Sequence, residues 1–259
     1  CIGDGEEMMV EVCEVLEKTK GKPRKERIRE LCKIEGCWGS SLIPSLDGEG
    51  KGGVNTFTPV NKRLSPLTNE YASTSYPIPF SSSVHDRAIV EIRRGCGRMC
   101  RFCQAGFIYR PVRARGVKTL TEQACSLVKN SGFSELGLNS LSTGDYPQLK
   151  ELIKSLKDNL PSDVHLSLPS LRLDSFDGEF VAQSKKNSLT FAPEAGTQRL
   201  RDVINKNLTE EEILTTCANA FSGGWNNVKL YFMLGLPTET EEDIRGIADL
   251  CNKIAATFF

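Results

Sequence analysis

The chain has 259 residues, 39% hydrophobic and 25% charged, with 33 basic and 33 acidic side chains and no formal net charge. This composition fits one large globular domain or a domain plus a fragment, and it argues against a disordered chain or a broadly basic nucleic-acid binder. No apolar run approaches the roughly 20 residues of a membrane span and no signal peptide is visible, so a cytoplasmic protein without membrane contact is the expectation. The first residue is Cys1 rather than Met, which reads as a piece of a longer protein.

Residues 1–37 read as the C-terminal remnant of an α/β unit. Cys1 to Glu7 suggests a strand end and a glycine turn. A helix follows with Met8, Met9, Val12, Val15 and Leu16 on one face, then a second from Pro23 that buries Ile28, Leu31 and Cys32 and stops near Gly36. Gly3-Asp4-Gly5 either cradles a cofactor phosphate or caps a helix. Residues 38–83, rich in Gly, Pro, Ser, Thr and Asn, read as linker.

From residue 84 to 259 strands alternate with helices, the pattern of βα units on a parallel sheet. The expected strands are Ala88–Arg93, Glu135–Leu141, Val164–Leu168, Ser188–Ala192 and Asn227–Leu234. Helices are expected from Thr121 to Asn130 (with Thr119 and Glu122 as a capping box and Gly132 as stop), around Leu149–Leu156, near Phe176–Ser184, within Thr197–Phe221, and over Ile244, Ile247, Cys251 and Ile254. Cys125, Cys217 and Cys251 fall on helix faces that read as buried. Polar and glycine-bearing loops follow the strands, where parallel α/β folds build their sites.

The most informative stretch is Glu91–Lys118. Cys96, Cys100 and Cys103 are spaced C-x3-C-x2-C, and from Arg93 to Lys118 there are eight Arg or Lys and no Asp or Glu. Ten scattered cysteines could mean a secreted disulfide framework, but three clustered between glycines fit a reduced metal site better. Three thiolates leave one iron of a [4Fe–4S] cube without a protein ligand, open to substrate, whereas electron-transfer ferredoxins use four. Zinc is the rival, but structural zinc takes four ligands, and neither His85 nor His165 has finger spacing.

Cys96-Gly-Arg-Met-Cys100-Arg-Phe102-Cys103, placed after the first strand of a βα repeat, resembles the signature of the radical SAM enzymes. The resemblance implies a partial TIM-like (βα)6 barrel and a [4Fe–4S] cluster on Cys96, Cys100 and Cys103. It further implies S-adenosylmethionine (SAM) on the open iron, reductive SAM cleavage, and an electron donor such as flavodoxin or ferredoxin. By the same likeness Phe102 lies near the adenine. The backbone of Ser142-Thr143-Gly144 stands where the family has Gly-Gly-Glu, although Ser142-Thr143-Gly144-Asp145 departs from that motif and a role for Asp145 does not carry over. Ser167, Ser170 and Arg172 are polar contacts of strand three. Glu194 is either a SAM-contacting carboxylate or a helix N-terminal acid, and Gly235 lets the backbone approach the adenine. His85-Asp86-Arg87 and Cys103 to Arg113 resemble the subfamily with an N-terminal cobalamin-binding domain of Rossmann-like form, whose tail the Gly-Asp-Gly-Glu-Glu start resembles; cobalamin in the full-length protein is implied by that kinship alone. No catalytic side chain and no substrate follow. Two other readings stand beside this one. A tRNA methylthiotransferase needs a second cysteine triad, for which Cys13, Cys32 and Cys37 are wrongly spaced. A non-catalytic metal or nucleic-acid module would use the basic run.

Overall fold

The computed structural model describes residues 1–39, 60–67, 72–81, 86–168 and 189–257. The chain forms two compact units, Cys1–Tyr71 and Ala72–Phe259.

In the first unit, α1 (Glu6–Lys18) places Glu6 and Glu7 at its N-terminus, where the helix dipole favours acids. Met8 is buried with Ile34 and Cys37, and Val12, Val15 and Leu31 pack against them. Met9, expected on the same face, is half exposed. α2 (Arg24–Leu31) follows Pro23 as expected but buries no residue completely. Its sequence, RKERIREL, offers only a narrow apolar stripe. Part of the stretch that reads as linker is pinned to this unit. Gly3 bridges Arg63 in parallel, Arg63 pairs with Glu7 at 2.8 Å and Glu11 at 2.7 Å, and the Ser65 amide donates to Asp4 Oδ2 at 2.8 Å. The Gly3-Asp4-Gly5 turn is therefore engaged internally. Gly3 has φ +109°, and a Cβ there would stand 2.1 Å from the Arg63 carbonyl oxygen.

The second unit carries the βα repeat. β1 (Ala88–Glu91) is followed by a short ladder strand β2 (Arg93–Arg94), α3 (Ala105–Ile108), β3 (Arg113–Ala114) and α4 (Val117–Ser131); then come β4 (Glu135–Asn139), a 3-10 turn at Thr143–Asp145, α5 (Leu149–Asn159) and β5 (His165–Ser167). Strands β1, β4 and β5 pair in parallel, with Ala88 opposite Leu136 and Gly137 opposite Ser167. Alternation decides the layers. Ala88, Val90, Leu136 and Leu138 face α4 and α5 and are fully buried with Leu120, Ala124, Leu152 and Leu156. Glu91, Asn139 and Ser167 alternate with those positions and so take the opposite face.

α4 begins two residues before Thr119, with Gly116 as its N-cap, so the expected Thr119–Glu122 capping box does not form. The Arg115 amide donates to the Ile92 carbonyl at 3.0 Å, which keeps the chain extended until Gly116. Gly132 does end the helix, in the left-handed conformation.

The later elements are β6 (Leu189–Glu194), α6 (Gln198–Val203), α7 (Glu210–Ser222), β7 (Val228–Phe232) and α8 (Glu241–Ala256). β6 and β7 are parallel. α7 starts at the expected Thr209–Glu212 capping box, and α8 has a second one, Thr240–Asp243, which the sequence reading missed. Leu189, Phe191, Ile213, Cys217, Trp225, Leu250 and Ile254 form the core of this half. Burial raises the Cys217 thiol to about 11, as suits an inert core cysteine. Cys125 is only half-buried and Cys251 is exposed, as is Ile244. The inward stripe of α8 runs through Asp243, Leu250 and Ile254, one helical step around from the face expected. The helix expected near Phe176–Ser184 lies outside the described residues.

Parallel strands alternating with helices among the described residues make this a mixed α/β fold of partial TIM-like form. The loop after Glu194 lies directly on α8, since a Cβ on Gly196 would stand 2.3 Å from the Ile247 nitrogen and 2.6 Å from the Asp243 carbonyl oxygen. Neither backbone can yield cheaply. Gly196→Ala is expected to lower the stability of this unit by about 1–3 kcal/mol, read by urea unfolding through the fluorescence of Trp225, which is buried in the adjoining core.

Candidate iron–sulfur loop and its anchors

The cysteine stretch is an excursion from the end of the first parallel strand, closed at its base. Ile92 is fully buried and its amide donates to the Asn139 carbonyl at 3.0 Å. Arg93 and Arg94 then pair antiparallel with Ala114 and Arg113. Between these two short strands the backbone turns sharply. Gly95 has φ +91°, and a Cβ there would come within 2.5 Å of the Tyr109 carbonyl oxygen. Met99 has φ +60°, uncommon for a residue with a side chain. The Cys103 amide donates to the Cys100 carbonyl at 3.0 Å. Cys100 is buried, Cys96 and Cys103 are half-buried, and all three are free thiols.

Side chains and backbone from the turn after β4 and from the end of α6 hold this loop. On one side Arg98 donates to both oxygens of Asp145, with Nε to Oδ2 at 2.9 Å, and Arg93 Nη1 stands 3.5 Å from the same carboxylate. Burial by itself would raise the Asp145 carboxyl; the hydrogen bonds from Arg98 and the charges of Arg98 and Arg93 outweigh it and lower the group to about 2. On the other side Asn205 Nδ2 donates to the Met99 carbonyl at 2.9 Å, and the Arg101 amide donates to the Ile204 carbonyl at 2.9 Å. The Arg101 guanidinium also reaches the Val203 carbonyl.

The second anchor brings two distant expected residues together through a third that was not expected. Lys206 Nζ lies 3.0 Å from Glu194 Oε1 and 5.9 Å from the centre of the Phe102 ring, close enough for a cation–π contact. Glu194 follows a bulge in the β6–β7 pairing and has φ +68°. A non-glycine residue held in that region is a form of strain that clusters at functional sites. Its carbonyl accepts the Met233 amide at 2.8 Å. Asn205 and Asn207 have φ +53° and +50°, a conformation asparagine tolerates. The Asn-Lys-Asn interruption between two helical patterns was the available signal for this turn.

The other expected site residues divide. Thr143 is fully buried, its hydroxyl donating to the Leu138 carbonyl at 3.3 Å, while the Ser142 carbonyl accepts from Arg93 at 3.4 Å. Gly144 is half-buried beside Asp145. The Ser167 hydroxyl accepts from Arg87 at 3.0 Å, an engagement on the sheet face. The Gly235 amide donates to Glu239 at 2.8 Å, and with φ +80° and open space around its Cβ position this glycine serves the turn's handedness. Ser170, Arg172 and His85 lie outside the described residues. Among the described residues no three His, Cys, Asp or Glu side chains gather as a single metal ion requires. A cube takes each thiolate on a different iron, so its ligands need not meet at one point. Three reduced thiols on a glycine-lined loop, ringed by arginine, fit such a group chemically.

A family model described as the Radical SAM superfamily matches residues 90–251. An uncharacterized protein of Methanocaldococcus jannaschii, MJ0966, is 42% identical over 166 residues, covering 64% of this chain and 37% of that protein. The cytidylyl-2-hydroxyethylphosphonate methyltransferase of Streptomyces wedmorensis is 28% identical over 148 residues, 56% of this chain and 28% of that one. Methylthiotransferases of tRNA and of ribosomal protein uS12 are among further relatives. In fold, the chain is similar to the radical SAM methyltransferase TsrM of Kitasatospora setae, solved with cobalamin and a [4Fe–4S] cluster, at TM-score 0.54 and 14% identity over 65% of this chain and 34% of that one. The chain thus spans well under half the length of these proteins.

Removing the Asp145 charge tests the first anchor. Asp145→Asn is expected to cost about 1–3 kcal/mol at neutral pH. Because the folded carboxyl is lowered below the ordinary 3.8 to about 2, the stability it contributes is present above roughly pH 4 and lost as pH falls towards 2. The gap between wild type and variant, measured by denaturant unfolding at a series of pH values, should therefore narrow below pH 4.

Proposed function

We propose, for a chain that belongs to the radical SAM superfamily, that Cys96, Cys100 and Cys103 hold a [4Fe–4S] cluster on which SAM is bound and reductively cleaved to begin radical chemistry on a substrate yet to be identified. The observation that carries this is the three free cysteines on one clamped loop at the end of the first parallel strand. The family's enzymes use the cluster and SAM to generate a carbon-centred radical, and the protein's share is to bind, orient and shield them.

Each residue then has a task. The three thiolates occupy three irons and leave one for SAM. Arg98, clamped by Asp145, and Met99, clamped by Asn205, keep the loop from shifting, and the arginines offset the charge of a thiolate-ligated cluster. Phe102 flanks the adenine, and Lys206 aligns the Glu194 carboxylate against that ring for SAM. The backbone of Ser142-Thr143-Gly144 and of Gly235 lines the remaining strand ends, with Ser167, Ser170 and Arg172 assigned to strand three. Residues 1–37, with residues 60–67 packed on them, are assigned to a cobalamin-binding-like domain, and 84–259 to the radical SAM core. Kinship with cobalamin-containing TsrM supports cobalamin use by the full-length protein. A flavodoxin or ferredoxin supplies the electron, in the cytoplasm. The methylthiotransferase alternative lacks support in the cysteine pattern: Cys13, Cys32 and Cys37 do not have the C-x3-C-x2-C spacing of a second triad.

Anaerobic reconstitution with iron and sulfide is expected to give about four irons per chain, a cluster whose EPR spectrum changes on adding SAM, and 5′-deoxyadenosine once dithionite is added. Cys100→Ala should lose both the cluster and the product. Lys206→Met should keep the iron but weaken SAM binding, because the Glu194 carboxylate loses its partner. A fully formed cluster whose spectrum ignores SAM would refute the reading.

A further inference from the structure

Arg201 is fully buried, and among the described residues its guanidinium donates to four neutral oxygens and to no carboxylate. Nη1 reaches the Ala195 carbonyl at 3.0 Å and the Gly196 carbonyl at 3.2 Å, Nε the Leu208 carbonyl at 3.1 Å, and Nη2 the Gln198 Oε1 at 3.1 Å. Burial lowers the guanidinium's pKa, against the raising effect of the Glu210 and Asp202 charges. A buried cation without a bonded anion is costly to desolvate, and a methionine would fill similar space without that cost. What the methionine lacks is a planar fork that fixes three carbonyls relative to one another.

Those carbonyls flank one ion pair. Ala195 and Gly196 are the two residues after Glu194, and Leu208 is the second residue after Lys206. The carbonyl of Arg201 itself accepts the Lys206 amide at 2.9 Å. One residue therefore grips the chain just past Glu194, at Lys206, and just past Lys206. Lys206 lies in no helix or strand, and Glu194, Asn205 and Asn207 all have positive φ, so regular structure does not hold this pair in register. We propose that Arg201 is a positioning residue for SAM binding, whose fork sets the separation of Glu194 and Lys206 and so the place of the carboxylate beside Phe102. It donates to the backbone beside the pair and not to the Glu194 carboxylate, so it acts through the chain. The proposal rests on the radical SAM reading for its ligand, whereas its effect on the ion pair is open to measurement without one.

The test has two arms on the full chain, with wild type, Arg201→Met and Arg201→Lys. In the first, the native proteins meet an amine-reactive succinimidyl ester, and labelling of Lys206, only 10% exposed within its ion pair, is followed by mass spectrometry. Cys217, in the core of the same half, is followed with iodoacetamide as the measure of general opening. Labelling of Lys206 is expected to quicken roughly tenfold in Arg201→Met while Cys217 stays as protected as in wild type. Arg201→Lys keeps the charge without the fork and should fall between. In the second arm the proteins are reconstituted with iron and sulfide. The SAM concentration giving half of the EPR change should rise roughly tenfold in Arg201→Met. Iron content, and the rate of 5′-deoxyadenosine formation at saturating SAM, should stay within about twofold of wild type. Unchanged Lys206 labelling, or raised labelling with an unchanged SAM dependence, would overturn the proposal. Exposure of Cys217 in step with Lys206 in both variants would overturn it too, since Arg201 would then serve only the stability of this half. If the wild-type cluster ignores SAM, the radical reading fails by itself. The labelling arm then still decides whether Arg201 sets the Glu194–Lys206 pair.

Discussion

The loop that carries the three free thiols has little regular structure to hold its shape, and a single carboxylate anchors one side of it. Asp145 accepts two hydrogen bonds from Arg98 and lies within ion-pair distance of Arg93. Both arginines belong to the cysteine excursion, and Asp145 belongs to the turn after the next strand. The pair ties the ends of adjacent strands together at the place where the site lies. Partial burial strengthens the attraction, and the two cations offset the cost of removing the carboxylate from water.

The opposite side of the loop is held by different chemistry. Asn205 and the backbone of Ile204 bond to Met99 and Arg101, and the turn that presents them also presents Lys206. Lys206 stands between an aromatic ring from the loop and the Glu194 carboxylate from strand β6. Loop position and site chemistry are therefore coupled. A shift of the Asn205 turn moves the loop and the cation together. The tight contact of Gly196 with α8 extends this dependence to the last helix, because the chain leaving Glu194 has no room to move.

The Arg-rich run is divided by the fold into parts with separate duties. Arg93 and Arg98 are spent on Asp145, Arg94 on Glu91 at 2.7 Å, and Arg115 is buried against the base of the excursion. What faces outward is an apolar segment. The same stretch thus carries the three free thiols and, just past the third, the exposed apolar side chains of Phe107, Ile108, Tyr109 and Val112.

Much of this was legible in the chain itself. Apolar alternation in Ala88–Ile92 and Glu135–Leu138, the Thr209–Glu212 cap and the Gly132 stop are local signals, and local physics decides them. The C-x3-C-x2-C spacing of Cys96, Cys100 and Cys103 is a local signal as well, since it concerns neighbouring residues. The pairings Arg98–Asp145, Met99–Asn205 and Lys206–Glu194 were not, because they join residues that no periodicity relates: parallel pairing of β1 with β4 brings the first together, and the turn after α6 brings the other two. The capping box expected at Thr119 failed because β2 and β3 pair and hold the chain extended to Gly116. The inward stripe of α8 was chosen by what Gly196 and the β6–β7 sheet present to it. Residue type and spacing determined which groups could take part in the chemistry; which of them stand together was decided by the tertiary structure, because long-range pairing is set by packing rather than by sequence order.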